Sequence, residues 1–463
     1  MGVELRFSHG TIEVAGLGRD EELPQGRWDE RSGNHRAPGL AYPALVRHFH
    51  QLGVKIVDHA RAYSELELSL VDAPAPRPFQ VAALSAWKQA KHQGVVVLPT
   101  GAGKSLVALL ALADRKRSAL VVAPTLDLVR QWHQSLSLGF SQEVGLVGGG
   151  EHSLGPLTVT TYDSALLHME HWGNRFGTIV FDECHHLPGE SYALAAKFCI
   201  APFRLGLTAT PDRADGRQNL YDELVGPVVY QKSIDELAGQ YLAQYETQRL
   251  VLTLTPSERE QYDAARGVYL SFIRKHAISM SGPNGFAEFI KRSSRSSEGR
   301  EAMLAFRRQR SLAFAATEKL RVLHELLHRH RSDRTIVFTQ DNATVYEVSR
   351  RFLVPAITHQ TKLKERVEIL SGLHEGRYRV IVTSRVLNEG VDVPSANVAI
   401  VLSGSGSVME HVQRLGRILR MQQGKRAVLY ELVSGDTSES NTSERRREHR
   451  AYRRGSGLLG GQG

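Results

Sequence analysis

The chain has 463 residues, 41% hydrophobic and 23% charged, which excludes a wholly disordered polypeptide and leaves room for roughly three domains. Its formal net charge of +9 favours a polyanionic partner, nucleic acid or an anionic surface, although an ordinary basic soluble protein fits equally well. Cys184 and Cys199 are too few for a disulfide framework and suit a reducing cytoplasm, no apolar run approaches the roughly 20 residues that span a bilayer, and MGVELRFSHG lacks a basic-then-apolar signal pattern.

Residues 1–72 carry short alternating segments (Leu5–Phe7, Thr11–Val14), a helical period near Ala44–Leu52 and a strand pattern in VKIVDHA. They predict a small α+β domain. DAPAPRP, at 72–78, cannot continue a helix and marks a boundary. From there to 230, the apolar runs GVVVL, SALVVAP, LTVTTY, GTIVFDE and RLGLTAT alternate with helical patterns. Continuous rather than alternating apolar strands belong to a parallel sheet covered on both faces. A second lobe, 231–436, repeats that rhythm in RTIVFTQ, VPAITHQ, YRVIVTS, NVAIVLS and RAVLYELV. It encloses a charged, mainly helical insertion at 255–312, with a basic loop, KRSSRSSEGR. Residues 437–463 are arginine- and glycine-rich and read as a disordered basic tail, able to grip nucleic acid or simply solvated. The fold class is therefore α/β, with two parallel-sheet lobes.

VVVLPTGAGKS, at 95–105, places a glycine-rich turn between a buried strand and a helix. There the backbone N–H groups and the helix dipole cradle phosphate. Gly101 and Gly103 permit the tight backbone, Lys104 reaches the β- and γ-phosphates, and Ser105 offers a hydroxyl to Mg2+. Leu98 stands where the strict pattern has glycine, at a strand end that tolerates a side chain pointing away from phosphate. By itself the stretch also fits a plain glycine turn. TIVFDECHHL adds Asp182, suited to hold Mg2+ through water, and Glu183, suited to position and deprotonate an attacking water. Cys184, His185 and His186, neighbours on one strand end, do not readily converge on a single zinc ion. The helical HVQRLGRILR, 411–420, offers Gln413, Arg414, Arg417 and Arg420 either to the transition-state charge or to solvent. His324 and His328 have helical spacing but no third metal ligand in view.

PTGAGKS, DECH, LTATP and QRLGRILR, in that order, resemble motifs I, II, III and VI of superfamily 2 helicases and translocases. More narrowly, the chain resembles the archaeal- and bacterial-type XPB DNA helicases. FSHGTIEVAGL and RWDERSGNHRAP resemble that family's damage-recognition domain, RPFQVAALSAW its adenine-side motif, APTLDLVRQW its motif Ia, and VTSRVLNEGVDVP its motif V. The resemblance implies RecA-like lobes, a thumb-like insertion, ATP and Mg2+ as cofactors, and 3′–5′ movement along DNA, duplex or single-stranded, in DNA repair. It assigns Gln80 to the adenine edge with Arg77 and Phe79 near the base, and Thr100, Gly101, Ala102, Gly103, Lys104 and Ser105 to the phosphate loop. Asp182 falls to Mg2+, and Glu183, Gln413, Arg417 and Arg420 to hydrolysis. Pro124, Thr125, Arg130, Thr160, Thr339, Gln340, Thr383 and Ser384 match positions that meet the nucleic-acid backbone, though plain helix caps use the same residue types. Thr208, Thr210, Arg213, Asp215, Glu389, Gly390 and Asp392 match coupling positions.

The sequence departs from the family at its Arg-Glu-Asp element, which here reads Arg213, Ala214, Asp215. The central acid is missing, and the thumb is matched only by position, helicity and its basic loop. Both departures concern strand separation, so translocation is better supported than unwinding. An RNA helicase on the same engine, and an ATP-gated DNA-binding scaffold for a partner nuclease, are the rival readings.

Overall fold

The computed structural model describes residues 2–71, 73–189, 191–210, 219–280, 285–384, 396–403 and 426–440. The chain divides into two compact units, Met1–Lys232 and Ser233–Gly463.

In the first unit, the opening alternation buries Val3 and Leu5 on one strand and Ile12 and Val14 on the next, as a period of two requires. These strands, Gly2–Ser8 and Thr11–Ala15, join Arg27–Asp29, Asn34–Pro38 and Lys55–Asp58 in a five-stranded sheet. Only the pairing of Gly2–Ser8 with Lys55–Asp58 is parallel. The helix Tyr42–Gln51 adds Leu45 and Phe49 to the sheet's core, and Ile200, from far along the chain, belongs to the same cluster. Atoms of Phe198 lie so near Gly10, Gly39 and Gly173 that a Cβ at any of the three would collide with them. The small domain is thus seated directly on the lobe that follows it.

That lobe is an eight-stranded sheet in the order Val228–Gln231, Gln93–Val97, Phe203–Thr208, Thr178–Asp182, Ala119–Ala123, Leu157–Thr161, Val144–Gly148, Glu151–His152. Every pairing is parallel except the last. Gln93–Val97 and the next strand in the chain, Ala119–Ala123, are separated in the sheet by two later strands. The resulting crevice, at the carboxyl ends of the strands, is where sheets of this kind take ligands. Arg204 is buried in this lobe, and its guanidinium donates to the carbonyls of Ala196, Ala201, Leu224 and Cys199. It thereby satisfies carbonyls in the last turns of the short helices Tyr192–Lys197 and Leu220–Leu224.

The second unit holds a six-stranded parallel sheet in the order Gln244–Leu252, Arg426–Ser434, Val398–Val401, Thr335–Phe338, Val380–Thr383, Ala356–Ile357. Leu320, Leu323 and Leu326, three apart on the helix Thr317–Arg329, pack into its core. The region read as a helical insertion contains the helices Pro256–Lys275, Gly285–Ser293 and Ser297–Phe314, joined by a cluster around Tyr269, Phe272 and Phe289. The parallel-sheet α/β class anticipated from the apolar runs is what forms. One correction concerns the tail: packed chain continues to Ser440, beyond the anticipated limit of 436. Glu439 is buried there because it neutralises the equally buried Lys319, 2.6 Å away. Among the described residues, no helix is long and apolar enough to cross a membrane.

Candidate active site

Three strand ends of the first unit converge on one group of side chains. The turn after Gln93–Val97 bends through Gly101 (φ 84°) and Gly103 (φ 79°), left-handed values that favour glycine, before the helix Lys104–Arg115 begins. Leu98 does not obstruct this loop. Its side chain is fully buried, and its amide donates to the Thr208 carbonyl at 3.0 Å, extending the strand pairing. Thr100 Oγ1 is buried with no hydrogen-bond partner among the described residues, which fits a hydroxyl facing a phosphate oxygen.

Gln80 braces the loop from behind. Its amide donates to the carbonyls of Ala102 (2.9 Å) and Gly103 (3.2 Å), while its side-chain oxygen accepts from the Arg77 amide. A Cβ on Gly103 would come within 2.5 Å of that amide nitrogen, so glycine is required there on two counts. In this arrangement both amide hydrogens of Gln80 are committed to the loop. Phe79 is likewise buried, and Arg77 is half-buried at the N-terminus of the helix Pro78–Gln89.

Asp182 and Glu183 follow the strand Thr178–Asp182. Glu183 has φ 45°, a strained value for a residue with a Cβ, and its amide turns back to donate to Asp182 Oδ1 at 3.0 Å. Trp132 Nε1 donates to the other oxygen, Oδ2, at 2.7 Å, and the Tyr162 hydroxyl donates to the Asp182 main-chain carbonyl at 3.0 Å. Burial, and then the charge of Glu183, push the Asp182 carboxyl up to about 6, against the opposing pull of Lys104. Such a buried pair of acids favours a nearby cation. Lys104 Nζ lies 3.5 Å from Glu183 Oε1 and donates to the Leu98 carbonyl. Asp182 together with the Ser105 hydroxyl and phosphate oxygens is a donor set of the hard-oxygen kind that suits Mg2+.

Glu183 Oε2 is 3.5 Å from His185 Nδ1, which also lies 3.2 Å from Thr208 Oγ1. The Thr208 hydroxyl donates its one proton to the Thr210 carbonyl and accepts from the Thr210 amide. Its remaining role toward His185 is acceptor, which assigns the imidazole proton to Nδ1. Thr208, Thr210, His185 and Glu183 therefore form one network between two strand ends. The neighbouring Cys184 thiol is buried and pushed well up by that burial and by Glu183, so it has the character of a core residue rather than a ligand.

The residues expected to meet a nucleic-acid backbone divide into two kinds. Thr125 caps the helix Leu126–Phe140 by accepting from the Leu128 amide, Pro124 is half-buried beside it, and Arg130 is exposed. Thr160, Thr339 and Thr383 are fully buried, their hydroxyls donating to the carbonyls of Val147, Asp341 and Ser384. These three build strand ends behind the surface. Ser384 is nearly buried, and the Gln340 amide donates to Ser403 Oγ. Arg213, Ala214, Asp215, Glu389, Gly390, Asp392, Gln413, Arg414, Arg417 and Arg420 lie outside the described residues. The residues that sequence reasoning missed are Trp132 and Tyr162, the two aromatic donors to Asp182. Trp132 stood inside the quoted APTLDLVRQW, but its partner is 50 positions away.

Comparison with known proteins adds the context. The family profile described as "Xeroderma pigmentosum group B helicase damage recognition domain" matches residues 5–60, "Type III restriction enzyme, res subunit" matches 74–213, and "ERCC3/RAD25/XPB C-terminal helicase" matches 300–452. A protein of Sulfurisphaera tokodaii named DNA 3'-5' translocase XPB2 is 41% identical over 425 residues, spanning 89% of this chain and 96% of that one. A DNA 3'-5' helicase XPB of Kineococcus radiotolerans is 30% identical over 390 residues, 81% of this chain but 62% of the longer relative. Among solved structures, the Pyrococcus furiosus Hef helicase domain shares the fold, with a TM-score of 0.53 at 18% identity, covering 80% of this chain and 98% of that one.

Proposed function

The chain belongs to the XPB family of superfamily 2 DNA helicases and translocases, and on that premise we propose that it hydrolyses ATP at the Lys104–Asp182–Glu183 site to drive 3′–5′ movement along DNA, in DNA repair. The observation that carries the assignment is the convergence of Lys104, Asp182 and Glu183 within the strand-end crevice, Lys104 3.5 Å from Glu183. The amides of the Gly101–Gly103 turn bind the phosphates, and Lys104 leaves Glu183 to meet the β- and γ-oxygens. Asp182 and Ser105 would hold Mg2+, which would supply neutralisation of the charge building on the phosphates. Glu183, released from Lys104, orients a water and takes its proton as the oxygen attacks the γ-phosphorus. His185 carries the change at Glu183 to Thr208 and Thr210. Gln413, Arg417 and Arg420 serve the transferring phosphoryl group by the family pattern. The Thr125–Arg130 segment supplies an exposed guanidinium and a helix N-terminus to the DNA backbone, contacts that read no sequence.

The test compares ATP turnover with duplex DNA, single-stranded DNA and RNA, alongside displacement of a triplex-forming strand as a readout of translocation. DNA-stimulated turnover and triplex displacement, both lost in Glu183→Gln, are the expected results. Stimulation by RNA alone, or DNA binding and partner recruitment unaffected by Glu183→Gln with no displacement by the unmodified protein, would replace this reading.

A further inference from the structure

Asp182 is held by two aromatic donors that come from different helices, and each helix begins at a segment assigned to the DNA backbone. Trp132 lies seven residues beyond Thr125, on the helix Leu126–Phe140, and its indole N–H ends on Asp182 Oδ2 at 2.7 Å. Tyr162 lies two residues beyond Thr160, at the start of the helix Tyr162–Trp172, and its hydroxyl ends on the Asp182 carbonyl at 3.0 Å. Both rings are only 2% exposed, so neither donor has water as an alternative partner. The exposed Arg130 and the buried Trp132 are two residues apart, about 200° around the helix, which puts the DNA-facing and Asp182-facing sides on opposite walls of one rigid element. His133 fixes that element further, its Nε2 lying 3.0 Å from the Val144 carbonyl on a neighbouring strand.

We propose that Trp132 is a positioning residue for ATP hydrolysis: its indole N–H fixes the Asp182 carboxylate for Mg2+ and ties that carboxylate to the helix that meets DNA, with Tyr162 bracing the same residue through its backbone. The proposal rests on the reading of Asp182 as the Mg2+-side carboxylate. With the N–H in place, Oδ2 keeps one orientation and the carboxylate presents its remaining lone pairs to the ion. Without it, Oδ2 loses its fixed direction, only the Glu183 amide still holds the carboxylate through Oδ1, and the link to the Thr125 end of the helix is gone. Partners of this kind behind a metal-binding side chain are typically worth on the order of tenfold or more in metal affinity or activity.

The experiment separates the donor from the bulk of the ring. Trp132→Phe keeps an aromatic ring and removes the N–H. Trp132→His keeps a five-membered-ring nitrogen at the matching position and removes the bulk. Binding of a fluorescent N-methylanthraniloyl ADP is titrated with Mg2+ in full-length protein. Trp132→Phe raises the half-saturating Mg2+ about tenfold while leaving Mg2+-free nucleotide binding unchanged, and Trp132→His recovers most of the loss. In the same variants the ratio of DNA-stimulated to basal ATP turnover falls with Phe and recovers with His, and Tyr162→Phe lowers that ratio as well. Asp182→Asn is run beside them. If Asp182→Asn abolishes the Mg2+ effect and Trp132→Phe titrates like the unmodified protein, the positioning role is wrong and the site assignment stands. If Asp182→Asn keeps the full Mg2+ effect, the site assignment itself is wrong. Equal impairment in Phe and His means the ring acts as packing, which also overturns the proposal. A 19F readout of 5-fluorotryptophan protein, in which four tryptophans are present and Trp132→Phe identifies one signal, guards against poor folding of the variants: the Trp132 resonance of the unmodified sequence shifts on adding Mg2+ and ADP, and an unmoved resonance contradicts the proposal.

Discussion

Lys104 Nζ stands 3.5 Å from Glu183 Oε1, joining the cation proposed for phosphate to the acid proposed for water. Each is nearly buried, so each is held against solvent by the other. The two roles separate on mutation. Lys104→Ala removes the charge facing the β- and γ-phosphates and is expected to abolish both tight ATP binding and turnover. Glu183→Gln leaves Asp182 and Lys104 in place, so nucleotide binding persists while kcat falls by on the order of 10²–10⁴, the usual contribution of a general base. Equilibrium binding of a fluorescent nucleotide, set beside single-turnover hydrolysis, checks this. Equal loss of affinity in both variants would refute the division of labour.

Thr208 offers a second separation. Its hydroxyl meets Thr210 twice and His185 once, and His185 in turn approaches Glu183. Thr208→Val keeps the shape and removes all three contacts, leaving the Nδ1 proton of His185 only Glu183 to face within this network. Basal ATP turnover is expected to survive within about tenfold, since no phosphate or water contact is lost. Triplex displacement per ATP hydrolysed should fall more steeply. A parallel decline of turnover and displacement would assign Thr208 to the chemistry instead of to coupling.

A third expectation concerns the base of the helical insertion. The Glu258 carboxylate accepts from the amide and hydroxyl of Thr255 at 3.0 and 2.9 Å, and from those of Thr317 at 2.9 and 2.8 Å. It caps the helix Pro256–Lys275 and pins the start of Thr317–Arg329, where the chain returns to the lobe. Partial burial pushes its pKa up, but the hydrogen bonds from Thr317 and Thr255 outweigh this and hold it below the ordinary 4.5. An acid with a depressed folded pKa stabilises the fold above its unfolded value and loses that contribution as pH falls through the folded one. Glu258→Ala should therefore cost about 1 kcal/mol at pH 7, typical of a lost cap. The difference from the unmodified protein should shrink as pH drops below 4.5. Thermal unfolding of both proteins across that range measures it, and a gap that widens in acid would contradict the sign.

These relationships explain what the sequence could and could not disclose. The ten apolar runs read as strands all form strands; most are nearly continuously buried, and the weakest, VPAITHQ, yields only the two-residue edge strand Ala356–Ile357. Gln244–Leu252 escaped notice: QYETQRLVL mixes polar and apolar residues, as suits an edge strand with one neighbour, and its nine-residue pairing with Arg426–Ser434 is fixed by register with distant residues. Val144–Gly148, interrupted by glycines, was invisible for a similar reason. Within the site, the Gly101–Gly103 turn before a helix and the Asp182–Glu183 pair at a strand end were legible because both are local in sequence. Trp132 and Tyr162 were not, since an aromatic residue at helical spacing ordinarily signals core, and only the fold brings their donors to Asp182. Gln80 shows the converse: its motif was visible, but not that its amide would turn to the loop's carbonyls.

The final prediction takes up the ion pair that moved the end of the packed chain. Lys319 Nζ donates to Glu439 Oε2 at 2.6 Å and to the Leu402 carbonyl at 2.7 Å, while Glu439 also accepts from the Ser434 amide. The side chains are 0% and 1% exposed, so each charge depends on the other. Removing one partner leaves an uncompensated buried charge, which typically costs about 3–5 kcal/mol; removing both for apolar residues can be nearly neutral. Lys319→Met and Glu439→Leu should each destabilise strongly, and the double variant should recover much of the loss. The pair also bears on the segment proposed to meet DNA, Thr339–Gln340. Leu402 precedes Ser403, whose hydroxyl accepts from the Gln340 amide at 3.0 Å. Loosening Leu402 should therefore free the Thr339–Gln340 segment as well. The single variants are expected to lose amide-exchange protection at Gln340 before the sheet opens globally, and the double variant to regain only part of it, because the donor to Leu402 is still absent. Denaturant unfolding gives the double-mutant cycle and hydrogen exchange gives the local term; additive destabilisation would refute the mutual dependence of the two charges, and protection at Gln340 that tracks global stability alone would show that the pair does no more than fasten the chain end.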